Sequence, residues 1–312
     1  MANNKLQKFA NPTGLPSAYA GELALPYVHA ATLSAPTLSN GNVTVLQNVR
    51  FKAQIPVMAN SSLIQAGGCD FDATTSSTAL TNSTLEVTDL MVNLQLCKKN
   101  FRTWWQGDDY TINSGVPDDY ADALLLYIAG EVQGTIESNI WQGDTVTVGA
   151  PFALFNGLVA KWDANGGTPT NLTKKIDVIA DVIEGLGEVV GVIPANLVGQ
   201  YDDVNIYVNP QTIDAYNIAI GQLGGGYNNS TSDGGQIRFG GYRMIATTGL
   251  EKGYFVVARA QDLAVGVGQA DSVELAQAID MTPLDGSDNY RITMRFAVGT
   301  QVPVFANVQM GE

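Results

Sequence analysis

The stretch Pro117-Asp-Asp-Tyr-Ala-Asp-Ala-Leu-Leu-Leu-Tyr-Ile-Ala-Gly-Glu-Val-Gln-Gly-Thr-Ile-Glu-Ser-Asn-Ile-Trp141 carries the clearest helical signal in the chain. Tyr120, Ala123, Leu124, Tyr127, Ile128, Val132, Ile136 and Ile140 recur at helical spacing, which predicts an amphipathic helix over residues 118–140. Proline at its start and Asp118 and Asp119 in its first turn suit the exposed N–H groups and the positive end of the helix dipole. At 1.5 Å per residue this helix is roughly 35 Å long, enough to act as a strut across a subunit.

On its N-terminal side the pattern is that of strands. Val49, Phe51, Ala53 and Ile55 alternate with Arg50, Lys52 and Gln54, predicting a half-buried strand. Leu90, Val92, Leu94 and Leu96 alternate with Met91, Asn93, Gln95 and Cys97 and predict a matching strand. Leu85 and Val87 alternate in the opposite phase, so a bulge is expected near Asp89. Between the strands lie Ser, Thr and Gly residues too polar to pack a core, so residues 49–97 read as a long β-hairpin projecting from a body. Residues 1–48, with Pro12, Pro16, Pro26 and Pro36 and no sustained period, read as an extended arm. Phe9, Leu15, Leu23, Leu25 and Tyr27 make it too apolar for a free linker, so it is expected to lie along another surface.

On the C-terminal side a second helix is expected after Asn171 or Thr173, with Ile176, Ile179, Ala180 and Ile183 inward and an end at Gly185 or Gly187. Residues 204–208 predict a strand, Asn209 an N-cap and Pro210 a first helical position, with Ile213, Tyr216 and Ile220 inward until Gly221. Gly224-Gly-Gly226, Asp233-Gly-Gly235 and Gly240-Gly241 mark loops. Strands are then expected at 242–247, 254–259, 263–267, 273–279, 290–298 and 302–308.

The 312 residues are 45% hydrophobic, ample for a folded protein of one or two domains. Only 15% are charged, well under the usual quarter. A subunit that hides much of its exterior against neighbours accounts for this, because the cores of interfaces are depleted in charge. A net charge of -14 argues against a protein whose main task is gripping phosphates. The densest basic group, Lys98, Lys99 and Arg102 beside Trp104 and Trp105, reads as a solvated turn. Cys69 and Cys97 make no disulfide framework and are expected to be free thiols. The N-terminal residues lack the apolar core of a signal peptide and no run is long enough to span a bilayer, so synthesis in a cytosol is expected. The Asn-x-Ser/Thr matches at Asn42, Asn60, Asn82, Asn171, Asn228 and Asn229 are then compositional.

The sequence offers no catalytic, cofactor-binding or metal residue by its motifs. His29 is the only histidine and has no acidic orienting partner at a recognisable spacing. Gly185-Leu-Gly187-Glu-Val-Val-Gly191 misses the dinucleotide fingerprint by one residue and follows a predicted helix, so it reads as a helix end. Asp70-Phe-Asp72 and Asp108-Asp109 lack the twelve-residue calcium loop, and the cysteines lack the partners zinc needs. Trp104, Trp105, Trp141 and Trp162 read as packing or interface anchors rather than a sugar-binding surface.

The order of these elements resembles the α+β capsid fold of tailed bacteriophages, shared with herpesvirus capsids and encapsulin shells. The likeness spans nearly the whole chain as a succession of soft patterns. It rests on residues 49–55 with 84–98 as the extended loop, and on 117–141 as the spine helix ending in Trp141-Gln-Gly-Asp144. It rests further on Pro151-Phe-Ala-Leu-Phe-Asn-Gly-Leu158, Val204-Asn-Ile-Tyr-Val-Asn-Pro210 and the closing segments 290–296 and 302–306. The resemblance implies an N-terminal arm at 1–48, an extended loop at 49–97, a peripheral domain at 98–163 and 261–312, and an axial domain at 164–260. It implies a major capsid protein that self-assembles into hexamers and pentamers, a homo-oligomer forming an icosahedral shell around double-stranded DNA without sequence-specific binding. Implied partners are a portal and separate scaffolding or decoration proteins, with no cofactor and no membrane. The implied location is the virion, with assembly in the host cytoplasm. The arm begins almost at Met1, which suggests a separate scaffolding protein or none. Lys52 is the only lysine between Lys8 and Lys98, so a loop-lysine crosslink of the kind some relatives make is not expected. The alternatives are an encapsulin-like compartment shell, separable by protein cargo instead of DNA, and a β-rich binding or adhesion protein.

Overall fold

The computed structural model describes residues 17–20, 36–39, 41–61, 77–97, 118–146, 152–223, 237–268 and 275–312. In chain order these form β1 (Ser17–Ala20), α1 (Pro36–Ser39), β2 (Thr44–Val49), β3 (Lys52–Ser61), β4 (Ser77–Glu86) and β5 (Thr88–Cys97). Helices α2 (Asp118–Gln142), α3 (Leu158–Ala164) and α4 (Val182–Gly191) follow, then β6 (Val204–Val208) and α5 (Pro210–Gln222). The remainder is β7 (Arg238–Phe239), β8 (Tyr242–Ala246), β9 (Phe255–Arg259), β10 (Ala264–Gly268), β11 (Leu275–Asp280), α6 (Thr282–Asp285), β12 (Asn289–Gln301) and β13 (Gln309–Gly311). The class is α+β, as the sequence predicts.

Strand β12 organises the larger sheet. It pairs antiparallel with β11 and β10, and over residues 289–298 with β5, while β1 extends beyond β11 and β2 beyond β10. Tyr290, Ile292, Met294 and Phe296 point inward while Arg291 and Arg295 are exposed, the alternation of a sheet with one covered face. Against the covered face packs α2 through Ile136, Ile140 and Trp141, together with Leu38 and Val43 from the N-terminal region.

A smaller sheet, ordered β13-β9-β6-β8-β7, has both faces covered, which is why every residue of β6 is buried, Asn205 included. Its Tyr207, Val256 and Ala258 join the core around α2; Val204, Ile206, Val208, Phe255 and Val257 join a second core with α4 and α5. The sheet is therefore the shared wall of two cores. Asn209 caps α5 by accepting from Gln211 N–H at 3.0 Å and ties it down by donating to Leu250 O at 2.7 Å.

Several expectations are corrected. The phase change between Leu85 and Leu90 is no bulge: the chain leaves one sheet at Glu86 and enters another at Thr88, β4 pairing with β3 and β5 with β12. The strand expected from Val49 is broken instead, with a bulge at the end of β2 where Asn48 takes φ 61°, a left-handed conformation that Asn tolerates. Phe51, expected inward, is 77% exposed. Residues 44–48, read as the end of an arm, lie in β2, parallel to β10 within the sheet.

The helix expected to stop at Gly185 or Gly187 begins at Val182 and runs through both. A Cβ on Gly185 would stand 2.6 Å from Lys174 O, so this glycine permits a close approach and does not end the helix. Residues 302–308 form a turn and a 3-10 helix, Phe305–Asn307, and the closing strand is β13. Pro303 has no N–H to give a ladder. Of the predicted helix over 118–140, Ile128, Ile136 and Ile140 are buried and Val132 partly so, but Tyr127 is exposed.

Candidate assembly surface

The outstanding surface feature is the β3–β4 hairpin, ten residues on each strand in unbroken register from Lys52↔Glu86 to Ser61↔Ser77. Cross-strand partners share a face. Ala53, Leu85, Ile55 and Ser83 lie on one side; Lys52, Glu86, Gln54, Thr84, Pro56, Asn82, Met58 and Leu80 lie on the other. Lys52 and Glu86 form an ion pair at the base, which holds the Glu86 carboxyl below its ordinary range. Further out, Met58 and Leu80 form an apolar cross-strand pair, 70% and 63% exposed. An isolated two-stranded ribbon is marginal in water, and these side chains have no cover among the described residues.

The base of the hairpin is seated firmly. Gly266 of β10 and Gly299 of β12 are direct cross-strand partners, and the missing side chains leave a notch. Leu85, fully buried, fills it: a Cβ at Gly266 would stand 2.3 Å from Leu85 Cδ2, and one at Gly299 1.9 Å from Glu86 O. Gln301 donates to Ser83 Oγ at 2.8 Å, and Val87 N–H to Phe51 O at 3.1 Å. Thus β4 runs on beside residues 299–301 of β12 before the hairpin departs from the body.

A second fixture ties the N-terminal region to the helix α2. The Glu137 carboxylate, buried, accepts from Thr37 N–H at 3.3 Å and from the Thr37 hydroxyl, while Trp141 Nε1 donates to Thr37 Oγ1 at 2.9 Å. Burial pushes the Glu137 carboxyl above its ordinary value, and the bonds from Thr37 and Trp141 oppose that rise. Nearby, the Tyr207 hydroxyl donates to Asn42 O, and burial raises its pKa well above the usual phenol value. A third fixture joins distant segments: Arg259 donates to Asp262 at 2.7 and 3.2 Å, Asn307 to Asp262 at 3.3 Å, and Asn196 to Asn307 at 2.6 Å.

Two segments singled out by the resemblance meet here. Gly143 and Gly157 touch backbone to backbone, Gly157 N–H donating to Gly143 O at 2.7 Å, so the end of α2 and the start of α3 are clamped together. Trp141 and Trp162 are core residues: Trp141 packs tilted against Tyr207 at 5.3 Å, and Trp162 Nε1 donates to Val308 O at 3.0 Å. Cys97 is a free thiol. Cys69, Asp70, Asp72, His29, Lys98, Lys99, Arg102, Trp104, Trp105, Asp108, Asp109 and the glycine-rich segment 224–235 lie outside the described residues. Among the described residues no group of His, Cys, Asp or Glu is arranged to hold a metal, and no helix is long and apolar enough to cross a membrane.

No family model matches the sequence and no curated protein matches it. Solved structures do. A chain of the satellite phage P4 procapsid including the size determination (Sid) protein superposes with TM-score 0.60 at 12% identity, covering 93% of this chain and 90% of that one. The capsid of an empty GTA particle matches with TM-score 0.56 at 15% identity over 89% of each chain. The capsid of Myoviridae phage XM1 matches with TM-score 0.55 at 11% identity, covering 88% and 91%. The chain therefore has the fold of these phage and GTA capsid structures over 88–93% of its length, at 11–15% sequence identity.

Proposed function

We propose that this chain is the major capsid protein of a tailed bacteriophage, self-assembling into the hexamers and pentamers of an icosahedral shell around double-stranded DNA. The observation that carries this is the β3–β4 hairpin: a ten-pair ladder held, among the described residues, to its own body only near its base, with Met58 and Leu80 uncovered, on a fold shared with phage and GTA capsid structures. An acidic, charge-poor subunit suits a container wall that must not trap packed DNA. The role is structural and requires no turnover. In this reading α2 is the spine of a peripheral domain built from 98–163 and 261–312, and residues 164–260 form an axial domain that gathers at five-fold and six-fold axes. The N-terminal residues are an arm and the hairpin an extended loop that clamps an adjacent subunit. Strands β2 and β5 belong with the peripheral sheet. A portal and separate scaffolding or decoration proteins would complete the virion, after assembly in the host cytoplasm.

The test is a variant in which residues 57–81 are replaced by a short Gly-Asn turn, which keeps the cross-strand pairs from Lys52↔Glu86 to Pro56↔Asn82 and the Gln301–Ser83 bond while removing Met58 and Leu80. Because the core contacts of β3 and β4 lie near the hairpin base, the variant is expected to fold normally by circular dichroism and to form no normal shells. An obligate interface buries on the order of 2,000 Å² or more, so losing the hairpin removes a sizeable share of the lattice contact. Particles of wild-type stability from this variant would overturn the clamp.

A further inference from the structure

The segment that carries Thr37 is fastened to the body by a buried carboxyl group that has no cation beside it among the described residues. Helix α1 is a single turn, too short to persist without tertiary contacts. Its Thr37 and Leu38 are buried, and so are Asn42 and Val43 just after it. Leu38 and Val43 enter the core that contains Ile136, Ile140, Trp141 and Tyr207, and the Tyr207 hydroxyl donates to Asn42 O. The polar fastening is Glu137, 2% exposed, whose two carboxyl oxygens accept separately from Thr37 N–H and from the Thr37 hydroxyl. Trp141 Nε1 completes the set by donating to Thr37 Oγ1 at 2.9 Å.

The elements packed around Glu137 bring no compensating charge. Helix α1 has no ionisable side chain, and the turn packed against α2 at Gly249 reads Thr247-Thr-Gly-Leu250. On β6 the ionisable group is the Tyr207 hydroxyl, engaged with Asn42 O, and on α2 the other described carboxyl, Glu131, is exposed. A buried carboxylate without a cation is costly, whereas a protonated carboxyl keeps acceptor capacity and adds a donor. Once α1 lifts away, water solvates the carboxylate and that cost disappears. We infer that Thr37 and Glu137 form an acid-tightened latch, in which protonation of Glu137 holds residues 36–39 and 42–43 on the body and ionisation loosens them. The direction agrees with burial pushing the Glu137 carboxyl above its ordinary value, a rise that the bonds from Thr37 and Trp141 oppose without cancelling. By linkage, docking is strongest below the ordinary value of 4.5 and weakens as pH rises through the docked value, about tenfold for each unit between the two. The latch governs whether Trp141 and Tyr207 stay covered, and it belongs to the subunit whether or not shells form.

Amide hydrogen exchange of the full-length soluble subunit, followed from pH 4.5 to about pH 8, tests this. Exchange at Thr37, Leu38, Asn42 and Val43 is read as the ratio of wild type to Glu137→Gln, which cancels the intrinsic pH dependence of the chemistry. The ratio is expected to rise by about threefold or more across the range, because only the wild type carries an ionising group at the latch. These amides are also expected to exchange about tenfold or more faster than those of Tyr207 and Val208 in β6, the mark of local opening. A flat ratio, or opening only together with β6, would overturn the latch. Thr37→Val keeps the backbone donor and removes the hydroxyl that offsets the burial of Glu137, so it should steepen the pH dependence beyond that of wild type. A Thr37 that serves packing alone would leave the dependence unchanged, and that result would overturn the pairing. This second comparison decides the question by itself if the Gln variant does not fold.

Discussion

Adding a single methyl group at Gly266 probes how the hairpin is fixed to the body. The new Cβ would stand 2.3 Å from Leu85 Cδ2, so either Leu85 leaves its pocket or the hairpin base shifts. Leu85 is fully buried among Val49, Ala264 and the partly buried Leu46, Ala53, Ile55 and Val87, so it has little room to turn. Overpacking of this kind costs about 1–3 kcal/mol. Leu85→Ala alone leaves a cavity and costs about 2–5 kcal/mol. In the Gly266→Ala, Leu85→Ala double variant the methyl group occupies part of the space the leucine vacated. Its destabilisation is expected to fall short of the sum by about 1 kcal/mol or more, a coupling measurable by urea unfolding of the soluble subunits. Gly299→Ala meets the Glu86 backbone at 1.9 Å and has no such rescue, so it should displace the hairpin and reduce shell formation most. Additive effects of Gly266→Ala and Leu85→Ala, with normal shells from Gly299→Ala, would refute the seat.

Other consequences follow from the fixtures of the body. Burial raises the Glu137 pKa in the folded subunit above its unfolded value near 4.5, so its contribution to stability is fully present below that pH and is lost as pH rises through the folded value. Wild type should therefore gain stability relative to Glu137→Gln as the pH is lowered toward 4.5; a difference in Tm that does not change with pH would count against the buried carboxyl. Asn209→Ala, which removes the cap of α5 and the bond to Leu250, should cost about 1–2 kcal/mol in denaturant unfolding, and a loss of a few tenths would mean the cap is idle. Mature particles should run as one band near the 33.1 kDa monomer on denaturing gels with or without reductant. A ladder surviving boiling and reductant would show a covalent lattice.

What was legible in the sequence was local. Val204-Asn-Ile-Tyr-Val-Asn-Pro210 states its strand, cap and first helical turn in seven consecutive residues, and the structure follows it closely. The 118–140 helix was legible for the same reason, its apolar spacing being complete within the segment. The misreadings share one cause, which is that the deciding contact lies far along the chain. Gly185 looked like a stop because its neighbour, Lys174 O, is brought near only by the fold. The phase change after Leu85 looked like a bulge because nothing local says that β4 and β5 take different partners, one of them 200 residues away in β12. The tie between Thr37 and Glu137 spans 100 positions; the only signal was an acidic side chain beside Ile136 on the inward arc of the helix. The candidate assembly surface was legible as a pattern of alternation and low charge, but the Gly266–Gly299 notch that aims the hairpin required the register of β10 on β12.

The central claim, that this chain builds a closed shell, is tested most directly by electron microscopy of the purified wild-type protein under assembly conditions, followed by reconstruction of any particles. The account predicts closed icosahedral shells of hexamers and pentamers, with each hairpin lying on a neighbouring subunit and DNA inside particles recovered from infected cells. A compact monomer under every assembly condition, or shells filled with protein cargo in place of DNA, would contradict it.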